Sequence, residues 1–115
     1  MLGSKEMTDI AVKAMQEKKG IDIVSLHVGA LTSICEDFLI VSGNSVAQVD
    51  AIYDAVDEAL GRAGAVMRDR EGSSAGGWIL LDYYDLVIHI FTREMREFYD
   101  LEHTWRDASC TRYKG

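Results

Sequence analysis

The chain has no proline, only two cysteines and few basic side chains, and each shortage removes a class of protein. With no proline, no internal repeat and no low-complexity tract, nothing marks a linker, and 115 residues suffice for one core but not for a second folding unit. A single domain is expected over residues 1–115, with its core at about 5–107. Cys35 lies in an apolar run and Cys110 in a polar tail, with no CxxC and no histidine at metal-ligand spacing. Neither a disulfide framework nor a zinc site is therefore expected, and two free thiols fit a reducing compartment. Twelve basic residues against nineteen acidic ones give a formal charge of −7, a field that repels phosphate backbones. Little or no direct nucleic-acid contact is expected, and a basic protein partner is favoured. No stretch approaches the roughly 20 apolar residues that cross a bilayer, and the first residues lack both the apolar core of a signal peptide and an Arg-rich transit pattern. A soluble cytoplasmic chain without membrane contact is the expectation.

What is present is strong local patterning. Thr8 to Lys19 places Ile10, Ala11, Ala14 and Met15 at helical spacing, and Gly20 stands where a helix end favours positive φ. Ile21 to Val28 reads as a strand rich in β-branched residues. Glu36 to Ser42 reads as a second strand, so continuously apolar toward its end that both its faces should be covered. Ser45 and Gln48 have the spacing of a capping box, followed by a helical stripe of Val46, Val49, Ile52, Tyr53, Val56 and Leu60. Ala65 to Arg68 reads as a short third strand, and Asp69 to Gly77 as a polar exposed loop. Trp78–Leu81 and Leu86–Phe91 form an antiparallel hairpin around Asp82-Tyr83-Tyr84-Asp85, and Thr92 caps a final helix that includes Met95, Phe98, Tyr99, Leu101 and Glu102. The tail, 108–115, is expected to fray. The order α-β-β-α-β-β-β-α gives a mixed five-stranded sheet with flanking helices, in the α/β or α+β class of layered folds.

Three constellations could suggest an enzyme. Ser42-Gly43-Asn44-Ser45 runs from a strand into a helix and could receive an anion at the helix N-terminus, but it lacks the Lys of a P-loop and the GxGxxG of a dinucleotide fold. A capped turn is the plainer account. Asp82 and Asp85 could share Mg²⁺, but no nearby upstream lysine or arginine would hold substrate phosphates, and aspartates commonly flank turns. His89 alternates with Ile88 and Ile90 and has no adjacent Ser or Cys to activate. Trp78, Leu80 and Asp82 share one face of a strand, and a tryptophan beside acidic residues is a typical interface anchor. The plainer alternative is that Trp78 closes the edge of the core.

Several ordered blocks of the sequence resemble the ribosomal silencing factor family, also called the Iojap family. They are Asp37-Phe38-Leu39-Ile40-Val41-Ser42-Gly43-Asn44-Ser45, Gln48-Val49, the run from Trp78 to Phe91, and Arg96-Glu97-Phe98-Tyr99-Asp100-Leu101-Glu102 with Trp105. The likeness spans about residues 5 to 107. It implies a protein that binds the large ribosomal subunit at its fourteenth protein and sterically blocks joining of the small subunit, repressing translation when nutrients are scarce. It also implies a nucleotidyltransferase-like fold without the catalytic residues, and a homodimer in isolation. No cofactor, metal or catalytic group is expected. A residual nucleotide-binding or nucleotidyltransferase-like enzyme is the alternative reading.

Carried over by position, the partner-facing residues implied by the resemblance are Trp78, Leu80, Asp82, Tyr83 and Asp85, with Tyr99 and Glu102 on the last helix. An acidic, aromatic patch meeting a basic ribosomal protein gains association rate and specificity. The family commonly has glycine where this chain has Tyr84. If that position needs positive φ, tyrosine costs on the order of 1 kcal/mol or more. The segment from Trp78 to Phe91 thus divides, with Leu86–Phe91 expected as core strand and Trp78–Asp85 as recognition surface.

Overall fold

Amphipathic helices and apolar strands of this order have to share one sheet, because each buries its apolar side only against another element. The computed structural model describes residues 2–114; Met1 and Gly115, the ends of the expected domain and tail, lie outside them. In chain order the elements are α1 (Ser4–Glu17), β1 (Ile21–His27), β2 (Asp37–Gly43), α2 (Val46–Arg62), β3 (Asp69–Ser73), β4 (Trp78–Asp82), β5 (Leu86–Thr92), α3 (Arg93–Tyr99), α4 (Leu101–Thr104) and β6 (Ser109–Tyr113). The strands form one mixed sheet in the order β3-β4-β5-β2-β1-β6, in which β2 and β5 run parallel and the other neighbours antiparallel.

The sheet has two apolar faces. On the first, Ile23, Leu39, Val41, Ile79, Leu81, Ile88 and Ile90 pack against Met7, Ala11 and Met15 of α1 and Val49, Ile52, Val56 and Leu60 of α2. Burying each such aliphatic side chain is worth about 1.5–3 kcal/mol, so this layer dominates the stability. On the second, Val24, Leu26, Ile40, Val87 and Phe91 carry Phe38, Trp78, Leu80, Met95, Leu101 and Trp105, which remain partly exposed. The central strand β2 is covered on both faces, as its unbroken apolar run predicts.

The expected helix end at Gly20 falls one residue earlier: Lys19 takes the left-handed conformation, with φ 58°. Ala65–Arg68 forms no strand, and the expected polar loop supplies β3 instead, in register with β4 from Asp69 opposite Asp82 to Ser73 opposite Trp78. Gly72 makes this possible, because at φ 84° a Cβ there would lie 2.1 Å from the Trp78 carbonyl oxygen. Within the tail, residues 109–113 depart from the expected fraying. Ser109–Tyr113 adds to β1 as a sixth strand, so the sheet has six strands rather than five. A polar clasp reinforces it: Asp37 takes the Ser4 hydroxyl at 2.5 Å and His27 Nδ1 at 2.6 Å, and His27 Nε2 meets Thr111 Oγ1 at 2.9 Å. The single expected final helix is broken by Asp100, whose φ of 47° separates α3 from α4.

Tyr84 at the β4–β5 turn has φ 70° and a half-exposed side chain, with the Arg68 guanidinium 5.8 Å from its ring centre. The left-handed conformation strains a tyrosine and not a glycine. Tyr84→Gly is expected to stabilise the protein by about 1 kcal/mol in urea unfolding, and an unchanged or lowered midpoint would show that the ring's contacts outweigh the backbone strain.

Candidate partner-binding surface

Alternation along β4 sends Trp78 and Leu80 onto the second face of the sheet, where α3 and α4 leave them half-covered. Gly77 sets how closely α3 approaches: a Cβ there would stand 2.4 Å from Met95 Cγ and 2.9 Å from Thr92 Oγ1, at φ 81°. Thr92 caps α3 as expected, accepting the Met95 N–H. The helix so placed lays Tyr99 against Trp78, with ring centres 4.3 Å apart, while Phe91 stacks on the same indole at 5.1 Å and 26°. Phe38 meets Trp105 edge-on at 5.2 Å, which extends the aromatic surface toward the sheet centre.

Beneath this layer lies His89, 4% exposed, on the face opposite Ile88 and Ile90 as its alternation predicts. The Trp78 indole N–H donates to His89 Nδ1 at 3.1 Å. Indole nitrogen is a donor and never an acceptor, so Nδ1 is unprotonated and the ring proton sits on Nε2. Nε2 is buried and meets no acceptor among the described residues, an arrangement that costs about 1–3 kcal/mol. Burial pushes the imidazole down to about 3, so it is neutral at physiological pH.

The remaining residues expected to face a partner do not all join this surface. Asp82 accepts the Tyr84 N–H at 2.8 Å and pairs with Arg68 at 3.5 Å, so its carboxylate shapes the turn as well as charging it. Asp85 is exposed beside it, and its carbonyl accepts the N–H groups of Glu36 and Asp37. Tyr83 is a correction: it is 3% exposed and packs in the core on the helix side, because the alternation that turns Asp82 outward turns its neighbour inward. Burial and then the Asp57 carboxylate push its hydroxyl above the ordinary tyrosine range. Glu102 remains one-third exposed. Its carboxylate is engaged by Arg96 through Nε at 3.0 Å and a terminal nitrogen at 3.3 Å, while the same guanidinium donates to Ser42 Oγ and the Ile21 carbonyl. That network fastens α3 and α4 to β1 and β2. Phe98, 75% exposed and edge-on to Tyr99 at 5.2 Å, extends the aromatic surface and was not among the residues expected there. No sequence signal marked it, because the break at Asp100 that shortens the helix to seven residues leaves none.

The groups that could suggest an enzyme are already occupied or inert. At the Gly43-Asn44-Ser45 turn, Ser45 Oγ accepts the Gln48 N–H and Gln48 Oε1 accepts the Asn44 N–H, so the chain's own side chains fill part of the anion-binding geometry. Burial, followed by the nearby carboxylates of Asp37, Asp82, Glu36 and Asp85, pushes the Cys35 thiol up to about 11, where it is a poor nucleophile. Among the described residues no three His, Cys, Asp or Glu side chains gather closely enough to hold a metal ion, and no helix is long and apolar enough to cross a membrane.

Residues 2–114 match the family described as "Ribosomal silencing factor during starvation". The chain belongs to the ribosomal silencing factor family. It is 32% identical to the ribosomal silencing factor of Halalkalibacterium halodurans over 99% of this chain and 97% of that one. It is 34% identical to the Chromobacterium violaceum factor over 88% of this chain and 83% of that one. It is also similar to the chloroplastic protein Iojap of Zea mays, at 34% identity over 84% of this chain and 42% of that longer protein. A crystal structure of a Chromobacterium violaceum protein superposes with a TM-score of 0.87 at 31% identity, covering 99% of this chain and 95% of the other. A second, from Bacillus halodurans, gives 0.78 at 33% identity, covering 88% and 94%. The ribosomal silencing factors are a regulatory, non-enzymatic family.

The depressed His89 sets a pH dependence of known sign. The unfolded chain binds a proton at this imidazole below about pH 6.5 and the folded chain only near 3, so folding is favoured fully above 6.5 and loses that stability as pH falls toward 3. Urea unfolding between pH 7.5 and 4.5 should therefore show a steeper loss for the parent protein than for His89→Asn. Parallel curves would show that the imidazole is not held neutral.

Proposed function

We propose that this chain binds the large ribosomal subunit through the surface of Trp78, Leu80, Tyr99, Asp82 and Asp85, and that the bound domain sterically prevents the small subunit from joining. The carrying observation is an aromatic and aliphatic layer in which Trp78 and Leu80 are partly exposed and Tyr99 and Phe98 exposed, with the Asp82–Asp85 turn at the end of the same strand. Aromatic anchors rimmed by charge are the composition of an interface hot spot. The acidic rim on a chain of net charge −7 suits a basic ribosomal protein, which the family resemblance names as the fourteenth of the large subunit. Occupying the bridge surface lowers translation with no covalent step, consistent with a family of regulators. The cytoplasm is the proposed place of action, and a homodimer of the free protein is part of the same reading.

The nucleotide-binding alternative has less support, since Ser45 and Gln48 already take N–H groups at the turn where an anion would sit. Calorimetry with millimolar ATP and Mg²⁺ is expected to show no heat of binding.

Asp85→Lys reverses an exposed charge without touching the core, and Leu80→Ala trims the half-buried centre of the surface. Each is expected to weaken co-sedimentation with isolated large subunits about tenfold, a loss near 1.4 kcal/mol, while changing circular dichroism little. The parent protein should slow subunit joining followed by light scattering. Joining at an unchanged rate under saturating protein would end this reading.

A further inference from the structure

A histidine buried with one ring nitrogen unpaired is a poor choice for stability alone. A leucine would fill much the same space in the second-face cluster without an orphaned donor. Leucine would, however, leave the Trp78 indole N–H, which points at this buried site, without its acceptor. What the imidazole supplies and an aliphatic group cannot is a fixed acceptor under the sheet surface.

The register explains how it reaches. Trp78 lies opposite Phe91 and Leu80 opposite His89, so the indole crosses diagonally to the imidazole two residues away on β5. Phe91 and Tyr99 flank the ring, with centres 5.1 and 4.3 Å distant, and these contacts limit its tilt. Stacking contacts fix the plane of the indole more than which of its edges a χ2 rotation turns toward the sheet. The hydrogen bond to Nδ1 fixes that edge, because it is directional and the N–H leaves from one corner of the ring. His89 itself is held by Phe38, edge-on at 4.9 Å and 77°, and by Phe91 at 6.1 Å.

We propose that His89 is a positioning residue for partner binding: its Nδ1 takes the Trp78 indole N–H and holds the ring in the orientation that the partner meets. The proposal rests on the reading that the Trp78 surface is the ribosome-binding surface, and it adds the buried residue that prepares it. Presenting an anchor already oriented saves the rotational freedom that a loose side chain would lose on binding. His89 touches no partner atom and acts through the tryptophan.

The test is titration of isolated large subunits with the parent protein, His89→Leu, His89→Asn, Trp78→Phe and the double variant Trp78→Phe/His89→Leu. The Asn side-chain oxygen can take the place of Nδ1, whereas Leu and Phe each remove one end of the hydrogen bond. His89→Leu and Trp78→Phe are each expected to weaken binding about five- to tenfold, the worth of one neutral hydrogen bond, and His89→Asn to bind within about twofold of the parent. In the Trp78→Phe background, His89→Leu should add less than about twofold, because the interaction it removes is already gone. A ¹H–¹⁵N spectrum supplies a readout independent of the ribosome, with the Trp78 indole N–H protected from exchange in the parent and in His89→Asn but not in His89→Leu. Parent-like binding by His89→Leu or by Trp78→Phe overturns the proposal, as does an equal loss in both backgrounds. Should His89→Leu not fold, His89→Phe, which keeps an aromatic ring but offers no acceptor, takes its place in both backgrounds. Failure of the parent protein to bind large subunits at all removes the underlying reading and this inference together.

Discussion

The parallel pairing of β2 with β5 at the centre of the sheet constrains everything else. Two neighbouring strands, apolar on both sides, need a layer above and a layer below, and the chain provides those layers unequally. α1 and α2, of fourteen and seventeen residues, cover the first face so well that Ile23, Leu39, Val41, Ile79, Leu81, Ile88 and Ile90 are at most 1% exposed. The second receives a seven-residue helix and a four-residue one, broken apart at Asp100. Helices that short cannot cover a six-stranded sheet, so aromatic side chains fill the uncovered area and stay partly in contact with solvent. The proposed binding surface is therefore a by-product of incomplete cover rather than a cleft.

A surface of that kind needs its thin layer held firmly, and Arg96 does much of the holding. With one-tenth of its side chain exposed, it joins α3 to α4 through Glu102 and both helices to the sheet through Ser42 and the Ile21 carbonyl. The guanidinium is a rigid fork whose donors are taken up by fixed acceptors, which suits it to a buried joint better than a lysine. Ser42, at the start of the strand-to-helix turn, serves this joint. The turn beyond it is stitched by Ser45 and Gln48. A turn that could accept a phosphate has polar groups committed to internal structure.

Much of this was legible in the sequence, and what was not has physical causes. The apolar strands, the Ser45 and Thr92 caps, the hairpin and the inward-facing His89 all follow from periodicity and turn chemistry, because there local preference and tertiary packing agree. The edge strands were illegible for the opposite reason. Asp69–Ser73 and Ser109–Tyr113 are polar and largely exposed, and their strand conformation comes from the free edges of β4 and β1 rather than from their own side chains. The break at Asp100 was hidden because aspartate in the left-handed conformation leaves no compositional mark as plain as glycine. Tyr83 differs: the alternation that groups Trp78, Leu80 and Asp82 already assigns it to the other face, so its burial could have been read from the strand. The pairing of Glu102 with Arg96 could not, since Arg96 is fixed by packing against β1 and β2.

The clasp on Asp37 also decides what the two ends of the chain can carry. Lys114, whose carbonyl accepts the Gln16 side-chain amide, leaves beside β6, at the sheet edge farthest from β4. Leu2 emerges instead next to Tyr84 and Asp85, where it shares an apolar groove with Met7 and Val66. A fluorophore or affinity handle on the Lys114 side chain would therefore sit away from the aromatic surface, whereas the same group at Leu2 would crowd its acidic rim.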